Sequence, residues 1–121
     1  MKESAFSHKI IKRIRATDRY VWKNEALYKT GFPDLTIIDS EGSKYVELKV
    51  SHNKKVHDSR GGQALLSPTQ LIEIEKMIVF SKGKVNIQIW VLYDELGKVG
   101  VYRSQHGTWA VYPMARFMNF V

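Results

Sequence analysis

Two acidic residues and a lysine stand inside apolar runs of this chain. Asp34 follows Gly31-Phe32-Pro33 and opens Leu35-Thr36-Ile37-Ile38, while Glu47 and Lys49 interrupt Tyr45-Val46-Glu47-Leu48-Lys49-Val50. An ionised carboxylate in an apolar setting costs several kcal/mol unless it is paired or ligates a metal. A chain tends to break its own pattern where function demands it. Two carboxylates, a backbone oxygen (that of Leu48) and water suit Mg²⁺ or Mn²⁺, which take hard oxygen ligands. A lysine beside such an ion can orient an attacking water or neutralise charge developing on a phosphate.

The elements that must position these groups follow from periodicity. Side chains alternate along a strand, so Tyr45, Glu47 and Lys49 share one face and Val46, Leu48 and Val50 the other. With a turn around Glu41-Gly42-Ser43, residues 34–39 and 44–50 form an antiparallel hairpin that brings Asp34 towards Glu47. The competing reading is a half-exposed strand with an ordinary cross-strand charge pair.

Residues 3–16 are expected to be a helix, with Phe6, Ile10 and Ile14 on one stripe. Lys9, Lys12, Arg13 and Arg15 fall mostly off that stripe. Glu3 lies seven residues before Ile10 and projects onto the same stripe. It either helps to complete a metal site or complements the helix dipole. Residues 19–28, with Tyr20, Val21, Trp22, Ala26, Leu27 and Tyr28, suggest a strand or hairpin leading into Gly31. Residues 51–66 are expected to be a long polar loop, and loops of that length are usually functional or disordered. Lys54, Lys55 and Arg60 make it a candidate phosphate contact, and its two histidines lack metal-ligand spacing.

Ser67 caps a second helix and Pro68 fits its first turn. Leu71, Ile74, Glu75 and Ile78 continue it, and Lys82-Gly83-Lys84 ends it. Gln70 lies on the Ile74 and Met77 edge, so its amide faces inward unless it is simply a solvated first-turn residue. Residues 85–93 form a strand, Gly97 marks a turn, residues 99–102 pair back, and residues 109–111 add a short edge. Residues 114–120 are expected to be a terminal helix docking Phe117, Met118 and Phe120.

Composition sets the bounds. The chain has 121 residues, a formal net charge of +7, 44% hydrophobic residues and no cysteine. That length suits one domain with a modest core. Without cysteine there is no disulfide framework and no thiolate zinc site. The apolar runs are too short to span a membrane and no signal peptide precedes the first helix, so a cytoplasmic location is expected. The basic excess favours a polyanion, nucleic acid first, over charge that serves solubility alone.

The joint pattern resembles the PD-(D/E)XK nuclease superfamily. Within it, the chain is similar to stand-alone VRR-NUC (virus-type replication-repair nuclease) domains of phages and to related Holliday-junction resolvases. The resemblance rests on Glu3 at a helix start, Val21-Trp22-Lys23-Asn24, Gly31-Phe32-Pro33-Asp34, Val46-Glu47-Leu48-Lys49 and Leu66-Ser67-Pro68-Thr69-Gln70. These cover roughly the first two thirds of the chain in family order. The last third matches only in general strand character.

The resemblance implies an α/β fold with a restriction-endonuclease-like core, a central mixed sheet flanked by helices, spanning residues 1–121 as one domain. It implies metal-dependent hydrolysis of DNA phosphodiesters, with Asp34 and Glu47 binding Mg²⁺ or Mn²⁺ and Lys49 assisting the nucleophile. Gln70 matches the family's helix glutamine and Glu3 its helix acid. Small stand-alone members act as homodimers on branched DNA such as four-way junctions. A twofold dimer also has a geometric motive, because a junction needs two symmetric cuts and one domain has one candidate site. Trp109, Tyr112, Phe117 and Phe120 are the first candidates for its interface, unless these rings close the core. Two other functions stay open: a repair or restriction-type nuclease acting on duplex or flap DNA, and a basic DNA-binding domain of the same fold that does not cut.

Overall fold

Phe6, Ile10 and Ile14 recur at helical spacing, and all three are fully buried along the first helix, α1 (Glu3–Arg15). Its acidic first turn and basic last turn complement the helix dipole. In the computed structural model, which describes residues 1–24, 31–58 and 61–121, α1 packs on a six-stranded mixed sheet. The chain then runs β1 (Tyr20–Lys23), β2 (Leu35–Asp39), β3 (Gly42–Ser51), α2 (Gly61–Ala64), α3 (Pro68–Phe80), β4 (Ile87–Tyr93), β5 (Lys98–Arg103), β6 (Thr108–Pro113) and α4 (Met114–Phe120). A 3₁₀ turn, Asp94–Leu96, joins β4 to β5. The molecule is thus α/β with a central mixed sheet flanked by helices.

The strands lie in chain order, β1 to β6. Every neighbouring pair is antiparallel except β3 and β4, which run parallel. A parallel pair needs a crossover, and α2 and α3 provide it. β4 is central and buried at every position, as a strand covered on both faces should be. One face holds the larger core, where α1 and Phe117 of α4 meet Leu35, Ile37, Val46, Leu48, Trp90 and Leu92. The opposite face holds Ile89, Val91 and Tyr93 under Leu65, Leu66, Tyr102 and Trp109. Gly100 has no side chain for a reason: a Cβ there would lie 2.2 Å from the Trp109 ring.

Several expectations change in detail. The hairpin turn is tighter than the stretch around Glu41-Gly42-Ser43, because Asp39 already pairs with Gly42. Asp39 Oδ1 closes it by accepting the Glu41 N–H at 2.8 Å. The 51–66 segment is not a bare loop, since it contains α2. Its middle is anchored at His57, whose N–H donates to the Tyr93 hydroxyl at 3.0 Å. Of the 19–28 stretch, Ala26, Leu27 and Tyr28 lie outside the described residues, as does Arg60.

Most of the terminal rings pack against the core. Phe117 is fully buried and meets Trp90 edge-on at 5.3 Å. Tyr112 packs against the same cluster, Trp109 lies over Gly100, and only Phe120 remains substantially exposed. Among the described residues, no helix is long and apolar enough to cross a membrane.

Candidate functional site

The loop that carries Asp34 is held from two sides. From β1, Asn24 donates its backbone N–H to the Asp34 carbonyl at 2.7 Å. Its side-chain amide donates to the Pro33 carbonyl at 2.9 Å and to Thr36 Oγ1 at 3.0 Å. From the other side, the first turn of α3 presses on Gly31. Gly31 has φ +84°, and a Cβ there would sit 2.7 Å from the Thr69 carbonyl oxygen. The glycine therefore permits both a left-handed turn and close contact between this loop and α3. Gly31→Ala should cost about 2–4 kcal/mol, combining positive-φ strain with a backbone clash. Urea unfolding of the two proteins would measure it, and an unchanged midpoint would contradict this account.

Asp34 sits one step beyond the Leu35–Val46 pair of the β2–β3 hairpin, which places it opposite Glu47 by continuation of the register. Its Oδ2 accepts the Leu48 N–H at 2.9 Å. A strand residue's N–H and C=O point to the same side, so the Leu48 carbonyl is aimed at the edge where Asp34 stands. Glu47 and Lys49 turn to the face on which α3 begins. The Lys49 ammonium lies 3.7 Å from Glu47 Oε2. Gln70 reaches the same oxygen, donating its amide to Glu47 Oε2 at 2.5 Å.

Gln70 is aimed by a capping box. Its N–H donates to Ser67 Oγ at 3.1 Å, and its Oε1 accepts the Ser67 N–H at 3.0 Å. With the amide oxygen tied to the helix cap, only the NH₂ end is left to point at the sheet. The inward reading of Gln70 is the one the structure adopts.

The electrostatics of Glu47 are unusual. The residue is 2% exposed, and among the described residues its buried Oε1 has no hydrogen-bond donor, although in the protonated form a side-chain hydrogen bond with Asp34 is open to it. Burial, and then the neighbouring Asp34 carboxylate, push its pKa up from 4.5 to about 8, with Lys49 opposing. A buried carboxylate oxygen without a donor is the kind of atom that a cation would satisfy. Asp34, Glu47 and the Leu48 carbonyl make a hard oxygen set that suits Mg²⁺ or Mn²⁺.

A cleft of about 210 Å³ opens beside Asp34, lined by Glu3, Ser4, Ser7, Lys23, Asp34 and Leu48. That volume has room for several waters at roughly 30 Å³ each. Glu3 is exposed and borders this cleft with Ser7 and Leu48, so it lies at the open end of the helix side that carries the apolar stripe. Among the described residues, no group of three or more acidic, histidine or cysteine side chains is already gathered for a metal.

Sequence reasoning missed Ser7 and Lys23 as cleft residues. Ser7 is buried, and among the described residues its Oγ has no hydrogen-bond partner. The signal was available, since Ser7 follows Glu3 by one helical turn and Lys23 adjoins Asn24. Lys54 and Lys55 are exposed beyond the C-terminal end of β3, open to a large polyanion. No protein-family model matches the chain, and no curated protein matches it at a significant level.

Proposed function

We propose that this chain is a metal-dependent endodeoxyribonuclease of the PD-(D/E)XK superfamily, with a restriction-endonuclease-like core of VRR-NUC type, that cuts branched DNA such as four-way junctions. The observation that carries the reading is the buried Glu47, with its orphaned oxygen, beside Asp34 and Lys49. Asp34, Glu47 and the Leu48 carbonyl would hold Mg²⁺ or Mn²⁺. When bound, such an ion polarises a phosphoryl oxygen and stabilises the departing alkoxide. Lys49 adds a fixed cation next to the attacked phosphate. Gln70 fixes the Glu47 carboxylate in position, and Glu3, Ser7 and Lys23 border the cleft through which the strand and water approach.

Lys54 and Lys55, with Arg60 of the same segment, would hold the DNA backbone without reading sequence. The net charge of +7 favours such a partner. In this reading the protein acts as a homodimer, so that one branched DNA meets two sites.

A cleavage panel tests the proposal: four-way junction, flap, splayed arm and linear duplex, each with Mg²⁺, Mn²⁺ or chelator. Metal-dependent cuts placed symmetrically in the junction are expected. Equal cutting of linear duplex would point to a general repair or restriction-type nuclease. Binding without cutting under every condition would leave a DNA-binding domain of this fold. In the same panel, neutralising Lys54, Lys55 and Arg60 together should lower the salt slope of binding by about one per lost phosphate contact. An unchanged slope would assign them to solubility.

A further inference from the structure

β1 lies at the edge of the sheet, and two of its side chains are bare aromatic rings. Tyr20 is 54% and Trp22 59% exposed. Val21, between them, is buried, so the strand is anchored to the core through its other face. A groove of about 460 Å³ opens at the end of α1 and along β1, lined by Arg15, Val21, Trp22 and Lys23. Its described lining is thus an indole, an aliphatic floor and two cations, with no carboxylate. Arg15 and Lys23 are exposed, and among the described residues neither makes an ion pair. Lys23 also lines the Asp34 cleft, so groove and cleft adjoin at that side chain.

A polyanion suits the two cations but does not account for the indole. A duplex presents its phosphates to a protein surface and keeps its bases stacked on one another. An unpaired base instead offers a π-face, and single strands are held by aromatic rings under the bases and cations along the backbone, without sequence readout. An acidic peptide would use the cations and leave the indole in water. An apolar strand would use the indole and leave two cations unpaired. A single strand of nucleic acid uses both. We propose that the β1 edge groove binds an unpaired nucleotide of the substrate strand, with Trp22 stacked on its base and Arg15 and Lys23 on the phosphates to either side. The inference rests on the nuclease reading only in making that strand the one that enters the Asp34 cleft. It then narrows the substrate to DNA with a base freed from its stack beside the scissile phosphate, as at a branch point.

Binding is read in chelator, so that no cutting intervenes and a failure of the nuclease reading leaves the result intact. Labelled oligothymidine, an abasic strand of the same length and a blunt duplex are titrated with the full chain and followed by fluorescence anisotropy. Trp22→Ala should weaken oligothymidine binding about tenfold, as the loss of one stacked base does, and leave the abasic strand and the duplex unchanged. Trp22→Phe keeps a π-face and should recover most of the loss. Arg15→Gln should weaken oligothymidine and the abasic strand alike and lower the salt slope by about 0.7. Unlabelled oligothymidine should quench the tryptophan fluorescence of the wild type, because Trp22 is bare while Trp90 is 3% exposed, and the quench should vanish in Trp22→Phe. Trp22 is exposed, so these changes spare the core, and circular dichroism would verify that. Equal weakening of the intact and abasic strands by Trp22→Ala would make the indole a structural residue and overturn the proposal. Wild-type fluorescence unmoved by saturating oligothymidine would overturn it too and leave the edge of β1 to a protein strand. Stacking here without metal-dependent cutting in the cleavage panel would overturn the nuclease reading and keep the groove, whereas cutting without stacking would overturn the groove alone.

Discussion

Under the proposed nuclease reading, cleavage of DNA is expected to fall at least about a thousandfold when Asp34→Asn or Glu47→Gln replaces one metal-binding carboxylate with an amide. DNA binding should change little, because either substitution keeps side-chain shape and sits away from the exposed lysines. Full activity of either variant at saturating Mg²⁺ would remove both residues from the chemistry. Glu47→Gln carries a second expectation that needs no DNA. The Glu47 carboxyl is held at about 8, well above its ordinary 4.5. The folded protein therefore keeps this proton while the unfolded chain is already giving it up. The contribution is fully favourable below about pH 4.5 and is lost as pH rises towards about 8.

A glutamine at 47 accepts the same Gln70 hydrogen bond through its amide oxygen and has no charge to bury. In chelator, the variant and wild type should melt alike at pH 5. At pH 8.5 the variant should be more stable by a margin on the order of a few kcal/mol. Parallel melting curves across that range would contradict the burial argument. A divalent cation competes with the proton for Glu47, so Mg²⁺ should raise the wild-type melting temperature more at pH 8 than at pH 6. It should do much less for the Gln variant.

Lys49→Ala is expected to slow the chemical step by about 10²–10³ while changing DNA affinity only severalfold. The Lys49 side chain is 16% exposed and is directed at Glu47 Oε2. It is thus poorly placed to serve as a general backbone contact, unlike exposed Lys54 and Lys55. Single-turnover rates at saturating enzyme separate the two effects, and a loss confined to affinity would make Lys49 an ordinary DNA-binding cation. The pH profile offers a further check. Lys49 opposes the upward push on the Glu47 carboxyl, so its removal should move the rising limb of the rate profile to higher pH.

The local pattern was legible in the chain itself. Alternation through residues 45–50 put Glu47 and Lys49 on one face and Val46 and Leu48 on the other, and the structure keeps that division because the period of a strand is two. Ser67 and Pro68 announced the start of α3, and its phase turned Gln70 inward, because capping and helical period act over a few residues. The α2 turn escaped notice because four residues are too few to show a period.

Tertiary structure alone decided what each face meets. The parallel pairing of β3 with β4 depends on a crossover of more than thirty residues, whose helix α3 brings Gln70 to Glu47, and in the packed fold Glu47 is 2% exposed. That burial, and not the residue type, raises its proton affinity. Gln70 finds Glu47 across 23 residues of chain, and Gly31 meets Thr69 only when α3 has docked. The same holds for the β1 groove. Trp22 reads as an ordinary strand aromatic, and only the packed fold sets it bare at the sheet edge beside Arg15 and Lys23. Periodicity is a property of the backbone and is written locally, whereas burial is a property of distant neighbours and arises only when the layers come together.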